Sequence, residues 1–516
     1  MIKAAGFCIA ASALCPLLTT AQDFAPNPAP EVPEPPREFR GVWVTTVYNL
    51  DWPSKFNLST AEQKAELITL MDKAVALNLN ALVLQVRTMA DAIYDSPIEP
   101  WSYYLTGEMG KAPEPYYDPL TFAVEEAHKR GLELHAWFNP FRATTAYYGE
   151  LADNHIAKQY PWVVRKNKSH SWLDPSSDFV KERIFTVIFD VVNRYDIDGV
   201  QIDDYFYPYP ARGEPDFDDI ENYEETQMIE GDIERGDWRR ENVNGIVEGL
   251  YTEIKATKPW VKFGVSPFGI WRPGYPSTVK AGLDSYTQIF ADSKKWLNEG
   301  WLDYCSPQLY WTIDGPQGFA DLYRWWQSEN TLGRHVWPGI AAARIGKKGS
   351  GEGDGRDALE ILNQISETRQ ELGGSPGPGQ LHWRWKAYED NNGGIARLIT
   401  MKRYADRVLI PPSPWLDPKD GPVKVPAGVI TEVEAKDQDR LYVSWKLADK
   451  SALPAVRWWM IQTKRGDSSP WRVAHVTGSQ ALYVDDLPDA SGVTEVALRA
   501  VGKTGRLGPI VAWKRK

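Results

Sequence analysis

The chain has 516 residues, of which 25% are charged and 43% hydrophobic, and its formal net charge is −11. That is too long for one ordinary domain and suits a large barrel with a small module. An acidic balance without a basic run argues against nucleic-acid partners and gives no attraction to anionic membranes.

Residues 1–21 read as a signal peptide: Lys3, an apolar run from Ala4 to Leu18, then Thr19-Thr20-Ala21. The run is too short to span a bilayer, and no second one follows, so no membrane span is expected. The expected destination is the periplasm or the extracellular space. Leu14 before Cys15 and Phe7 before Cys8 stand where a lipid-modified cysteine wants a small residue, so no lipid anchor is expected. Loss of the signal leaves Cys305 alone, and the seven His lack ligand spacing. Neither a disulfide nor a metal or other cofactor is expected.

Residues 22–36 are rich in proline and read as a linker with no means of packing. Residues 37–410 hold eight strand candidates: Phe39–Val47, Ala81–Arg87, Leu132–Phe138, Gly199–Asp203, Lys262–Ser266, Tyr304–Tyr310, Val336–Ala341 and Gln380–Trp385. Helical patterns lie between them; one opens on a Ser59/Glu62 capping box. Strand–helix alternation repeated eight times predicts an α/β protein, a (β/α)₈ TIM barrel. A doubly wound sheet is the alternative, but the first βα turn lacks G-x-G-x-x-G. Residues 209–240 read as an acidic, solvated insertion, and 346–357 as a mobile glycine-rich loop. A linker at 411–426 precedes residues 427–516, where seven short alternating strands predict a small all-β sandwich. Glu495 to Gly505 resembles the last hairpin of a fibronectin type III domain.

The stretch Gly199-Val200-Gln201-Ile202-Asp203-Asp204 carries the main functional signal. Strand alternation puts Gly199, Gln201 and Asp203 on one face, with Asp203 at the carboxyl end, where barrel enzymes keep their chemistry. Asp203 is therefore the candidate nucleophile or general base. Asp204 points the other way unless the chain has already left the strand. The other strand ends would line the same mouth with Trp43, Gln85, Arg87, His135, Trp137, Asn139, Arg142, Gln201, Tyr205, Tyr207, Ser266, Trp271, Arg272, Gln308, Tyr310, Trp311, Trp383 and Arg384. Amides, guanidinium groups and indoles suit a neutral polyhydroxylated ligand, an oligosaccharide or polysaccharide. The 23 Trp and 24 Tyr point the same way, although most such rings serve the core. Glycoside hydrolysis needs a second carboxyl group. The fifth and sixth strand ends carry none. Asp91, Glu108, Asp314 and Glu389 lie on loops, and Asp91 is the favoured acid.

These motifs resemble the glycosyl-hydrolase-like 10 family. The resemblance rests on Phe39-Arg40-Gly41-Val42-Trp43-Val44, Gln85-Val86-Arg87, Glu99-Pro100-Trp101-Ser102 with Leu105-Thr106-Gly107, His135-Ala136-Trp137-Phe138-Asn139-Pro140, Asp198 to Pro208, Gly264 to Arg272, and Ser306 to Trp311. It implies a barrel related to amylase-type glycosidases, with Asp203 at the nucleophile position of D-G-x-x-x-D. It also implies action on peptidoglycan glycan strands stripped of their peptides. The amylase-type acid of the fifth strand is absent, so that assignment does not carry over. A glycan-binding protein without catalysis is the alternative, and a metal-dependent amide or ester hydrolase a weaker one.

Overall fold

The computed structural model describes residues 24–28 and 31–516, apart from 146–148, 168–169, 211–212, 214, 350, 373–376, 436–439 and 488–490. The expected signal peptide lies outside the described residues. The barrel strands are β1 (Phe39–Val44), β2 (Ala81–Arg87), β3 (Glu133–Phe138), β4 (Gly199–Ile202), β5 (Lys262–Val265), β6 (Tyr304–Cys305), β7 (in two segments, His335–Val336 and Gly339–Ile340) and β8 (Gly379–His382). Neighbours pair in parallel in chain order, and β8 returns to β1. The first segment of β7 pairs with β6 and the second with β8, which closes the ring.

Every residue of β1 to β5 is buried, as expected for parallel strands covered on both faces. Val200 and Ile202 face the outer helices, where they join one large apolar core. The helix Thr60–Ala76 shows how that core is assembled. Ser59 and Glu62 close the capping box, and Leu67, Leu70, Met71 and Ala74 are buried at helical spacing.

The barrel interior below the mouth is filled by rings. Phe39 stacks on Trp337 at 3.8 Å between centroids, and Tyr304 lies 5.3 Å from Trp337. His135 also belongs to this layer, held by the Tyr304 hydroxyl at 2.9 Å and Glu133 at 3.0 Å. Glycines on the neighbouring strands make room. A Cβ on Gly264 would stand 2.1 Å from the Tyr304 ring, and one on Gly199 2.6 Å from the His135 ring. We expect Gly264→Ala to cost about 1–3 kcal/mol by overpacking. Chemical denaturation would show it as a lower midpoint at unchanged slope.

The C-terminal strands are β9 (Gly428–Ala435), β10 (Leu441–Leu447), β11 (Val456–Arg465), β12 (Arg472–Gly478), β13 (Tyr483–Leu487), β14 (Val493–Gly502) and β15 (Val511–Arg515). One sheet runs β9–β10–β13. The other runs β12–β11–β14–β15. Their inner faces share a core of Ile430, Val443, Trp445, Trp459, Ile461 and Leu498. The proline-rich segment corrects one expectation. Phe24–Asn27 pairs antiparallel with β15, and Phe24 is buried in the sandwich core, so this part of the expected linker packs.

The sandwich is fastened to the end of the barrel opposite the mouth. Arg457 on β11 donates to Asp198, at the entry of β4, and to Asp196, both at 2.6 Å. His128 lies 3.0 Å from the other Asp198 oxygen and meets the Trp458 ring edge-on at 5.4 Å. No helix among the described residues is long and apolar enough to cross a membrane.

Candidate active site

The carboxyl end of β4 is the floor of the mouth. Gln201 faces inward and accepts from the Trp43 indole N–H at 2.8 Å. Asp203, two residues on, is 3% exposed, and its Oδ2 accepts from Trp137 Nε1 at 3.0 Å and Asn139 Nδ2 at 3.1 Å. Asn139 is aimed by an Asx-type turn after β3, in which its Oδ1 accepts from the Arg142 backbone N–H at 2.8 Å. Asp203 Oδ1 and Gln201 Nε2 are buried and meet no hydrogen-bond partner among the described residues. A buried acceptor and a buried donor on one face are what a hydroxyl-rich ligand would satisfy.

β4 ends at Ile202, so Asp204 is free of strand alternation and turns inward. It is 6% exposed and accepts from the Tyr209 hydroxyl, with the Gln308 amide close enough to favour its charged form. Gln308 donates to the Ser266 carbonyl at 3.1 Å, which links the ends of β5 and β6. Burial first, and then the Asp204 charge, push the Asp203 carboxyl up to about 7. Arg142, Trp137 and Asn139 pull the other way. Burial likewise raises Asp204. Two adjacent carboxyls in low dielectric resist double ionisation, so the pair retains a proton near neutrality.

Aromatic rings wall the site. Trp383, just past β8, is only partly buried and lies 5.8 Å from Trp43, 6.1 Å from Trp137 and 6.2 Å from Tyr310 between centroids. Arg142 sits 4.4 Å over the Tyr205 ring. The mouth thus gathers Trp43, Trp137, Asn139, Arg142, Gln201, Asp203, Asp204, Tyr205, Gln308, Tyr310 and Trp383, with Ser266 behind Gln308.

Other residues expected in the mouth have partners within the protein. Asp91 is fully buried, and its carboxylate accepts from Thr88 N, Thr88 Oγ1 and Met89 N at 2.7–2.9 Å, closing its own turn. It presents no carboxyl to a ligand. Arg87 forms a buried two-point pair with Glu99 at 2.6 and 2.8 Å and donates to the Asn139 and Pro140 carbonyls. It braces the β3 turn. Gln85 accepts from Thr46 N and Val47 N, anchoring the chain after β1. Tyr207 is buried edge-on to Phe217 and Phe290. Trp271 lies over Trp325 of an outer helix and donates to Asp292. Arg272 pairs with Asp284, and Trp311 packs against Phe268.

The insertion after β4 is more ordered than a solvated acidic face. It forms the helix Ile220–Glu230, and buried Asp219 pairs with Arg235 and Arg239. Two mouth groups escaped the sequence reading, Tyr209 and Glu352. Tyr209 extends the aromatic run after Asp204. Glu352 sits in the glycine-rich loop, where composition suggests only mobility. Among the described residues no group of three or more His, Cys, Asp or Glu converges as metal ligands would.

A (β/α)₈ barrel with buried carboxyls among indoles at its C-terminal mouth has its candidate site where barrel enzymes keep theirs. The comparisons narrow the class. Residues 38–353 match the family model described as Glycosyl hydrolase-like 10, and the chain belongs to that family. Glycosyl hydrolase YngK of Bacillus subtilis is 40% identical over 392 residues, 74% of this chain and 74% of that protein. Glycosyl hydrolase DigH of Escherichia coli K12 is 34% identical over 61% of this chain and 75% of its own length. Among solved structures, the PgaB (BpsB) glycoside hydrolase domain from Bordetella bronchiseptica aligns at TM-score 0.45 and 13% identity, covering 71% of this chain and 99% of that one.

Proposed function

We propose that the protein is an exported glycoside hydrolase that cleaves O-glycosidic bonds in a polysaccharide, with Asp203 as the group that exchanges the proton. The observation that carries this reading is the state of Asp203. It is buried at the end of β4, its Oδ2 is fixed by two donors, and its Oδ1 is unpartnered. A carboxyl raised to about 7 is protonated in a large fraction at neutral pH, as a general acid must be. That moves Asp203 from the expected nucleophile or base to the donor for the leaving oxygen. Asp204, tied to Tyr209 and close to Gln308, keeps the pair from losing both protons.

The indole-walled mouth suits sugar rings, and both curated relatives carry glycosyl hydrolase names. Peptide-free peptidoglycan strands are the proposed substrate, on the strength of the family resemblance. Export is read from Lys3 and the apolar run to Leu18. The sandwich, fibronectin type III-like in its strand pattern, takes a structural role beneath the barrel. A second reading, glycan binding without turnover, draws on the lack of a carboxylate at the fifth strand end and on the internal use of Asp91.

The test is reducing-end release from peptide-free peptidoglycan, mucin glycans and plant polysaccharides. Wild type should release ends from at least one of them. Asp203→Asn should lose roughly 10²–10⁴-fold while binding the same glycan. Binding by wild type without release from any glycan would support the second reading.

A further inference from the structure

The glycine-rich loop brings a carboxylate to the mouth. Its two ends are stitched together: Gly346 N donates to Arg356 O at 3.1 Å, and Gly355 N to Gly346 O at 2.8 Å. Its base is tied to the end of the sixth strand, where the Tyr310 carbonyl accepts from Arg344 at 2.8 Å and Arg356 at 3.2 Å. From this frame Glu352 reaches over the end of β8. Its Oε2 accepts from the Trp383 indole N–H and its Oε1 from Arg384 Nε, both at 2.9 Å. Arg384 is itself fixed, donating to the Leu50 carbonyl at 2.6 Å and to Asp51 at 2.8 Å. The Glu352 carboxylate is therefore held at the end of β8, on a loop whose base is tied to the chain after β6.

The placement mirrors that of Asp203. One carboxyl hangs from the indole N–H of Trp137 and the other from that of Trp383, and the two rings are 6.1 Å apart between centroids. Inverting glycosidases place their two carboxyls on opposite sides of the scissile bond with room for a water between them. The Glu352 side chain is 39% exposed, so water reaches it, whereas Asp203 is closed off. The Tyr310 ring lies 6.2 Å from that of Trp383 between centroids, and the charges of Asp204 and Glu352 both bear on its hydroxyl.

We propose that Glu352 is the second carboxyl group of the site, acting as the general base opposite Asp203. The inference rests on the reading of Asp203 as acid. As water attacks the anomeric carbon, Glu352 takes the proton that the water loses. A new C–O bond forms, the glycosidic C–O bond breaks, and the Asp203 proton goes to the departing oxygen. The product anomer is inverted.

The experiment compares wild type, Glu352→Gln and Glu352→Ala on a glycan that wild type cleaves, with the anomer read by NMR. Glu352→Gln should lose roughly 10²–10⁴-fold in kcat with KM little changed. Azide should restore rate to Glu352→Ala and give the inverted glycosyl azide. Turnover of Glu352→Gln within tenfold of wild type would overturn the inference. So would a raised KM with no azide rescue, because Glu352 would then only position Trp383. A wild-type protein inactive on every glycan sinks the glycosidase reading itself, and an active Glu352→Gln sinks this inference alone.

Discussion

Asp203→Asn is expected to be both inactive and more stable than wild type above neutral pH. The sign follows from linkage. The Asp203 carboxyl is raised from 3.8 to about 7 in the folded protein, chiefly by burial. The folded state therefore binds the proton more tightly than the unfolded chain. Stability falls as pH rises from about 4 toward 7, and the full penalty stands above 7. Three pKa units correspond to an upper bound of about 4 kcal/mol. Asparagine is neutral throughout and keeps an amide oxygen for Trp137 and Asn139. At pH 8 the variant should melt several degrees above wild type, and the gap should vanish by about pH 4. A variant less stable than wild type at pH 8 would contradict the electrostatic description of the site. Strain kept for function at the cost of stability is common at active sites.

The second large effect lies at the other end of the barrel. Arg457→Met should destabilise the protein by about 3–5 kcal/mol, because it leaves Asp198 buried without its strongest partner. Burial pushes the Asp198 carboxyl up, but Arg457 and His128 more than offset it and hold it well below the usual range. The stability it contributes is thus present above about pH 4 and is lost as pH falls further. The cost of Arg457→Met should shrink over that interval. Because Arg457 ties β11 to the entry of β4, the variant should also unfold in two steps, sandwich apart from barrel. A single transition with unchanged midpoint would show the contact to be dispensable.

Much of the frame was legible from local pattern. Alternating strand and helix signals located all eight barrel strands, because each buried strand is a short apolar run bounded by turns. Strand parity gave the inward face of β4, and Gln201 and Asp203 both point where period two requires. Parity could not place Asp204, since its orientation depends on the strand ending at Ile202 and on Tyr209. Residues whose partners lie outside the strand were the least legible. Arg87 looks like a mouth residue until Glu99, twelve positions on, folds back to it. Asp91 looks like a loop acid until its own turn closes on it. The strand Phe24–Asn27 depends on pairing with the last strand of the chain, a contact no local window contains. Glu352 lies in a loop whose course is set by Tyr310, Trp383 and Arg384, residues far from it in sequence.

The most direct measurement is mass analysis of the products formed from peptide-free peptidoglycan strands in ¹⁸O-labelled water. Hydrolysis predicts shortened fragments with one ¹⁸O at each new reducing end, formed by wild type and absent with Asp203→Asn. Fragments without the label, or strands bound but uncut, would contradict the account.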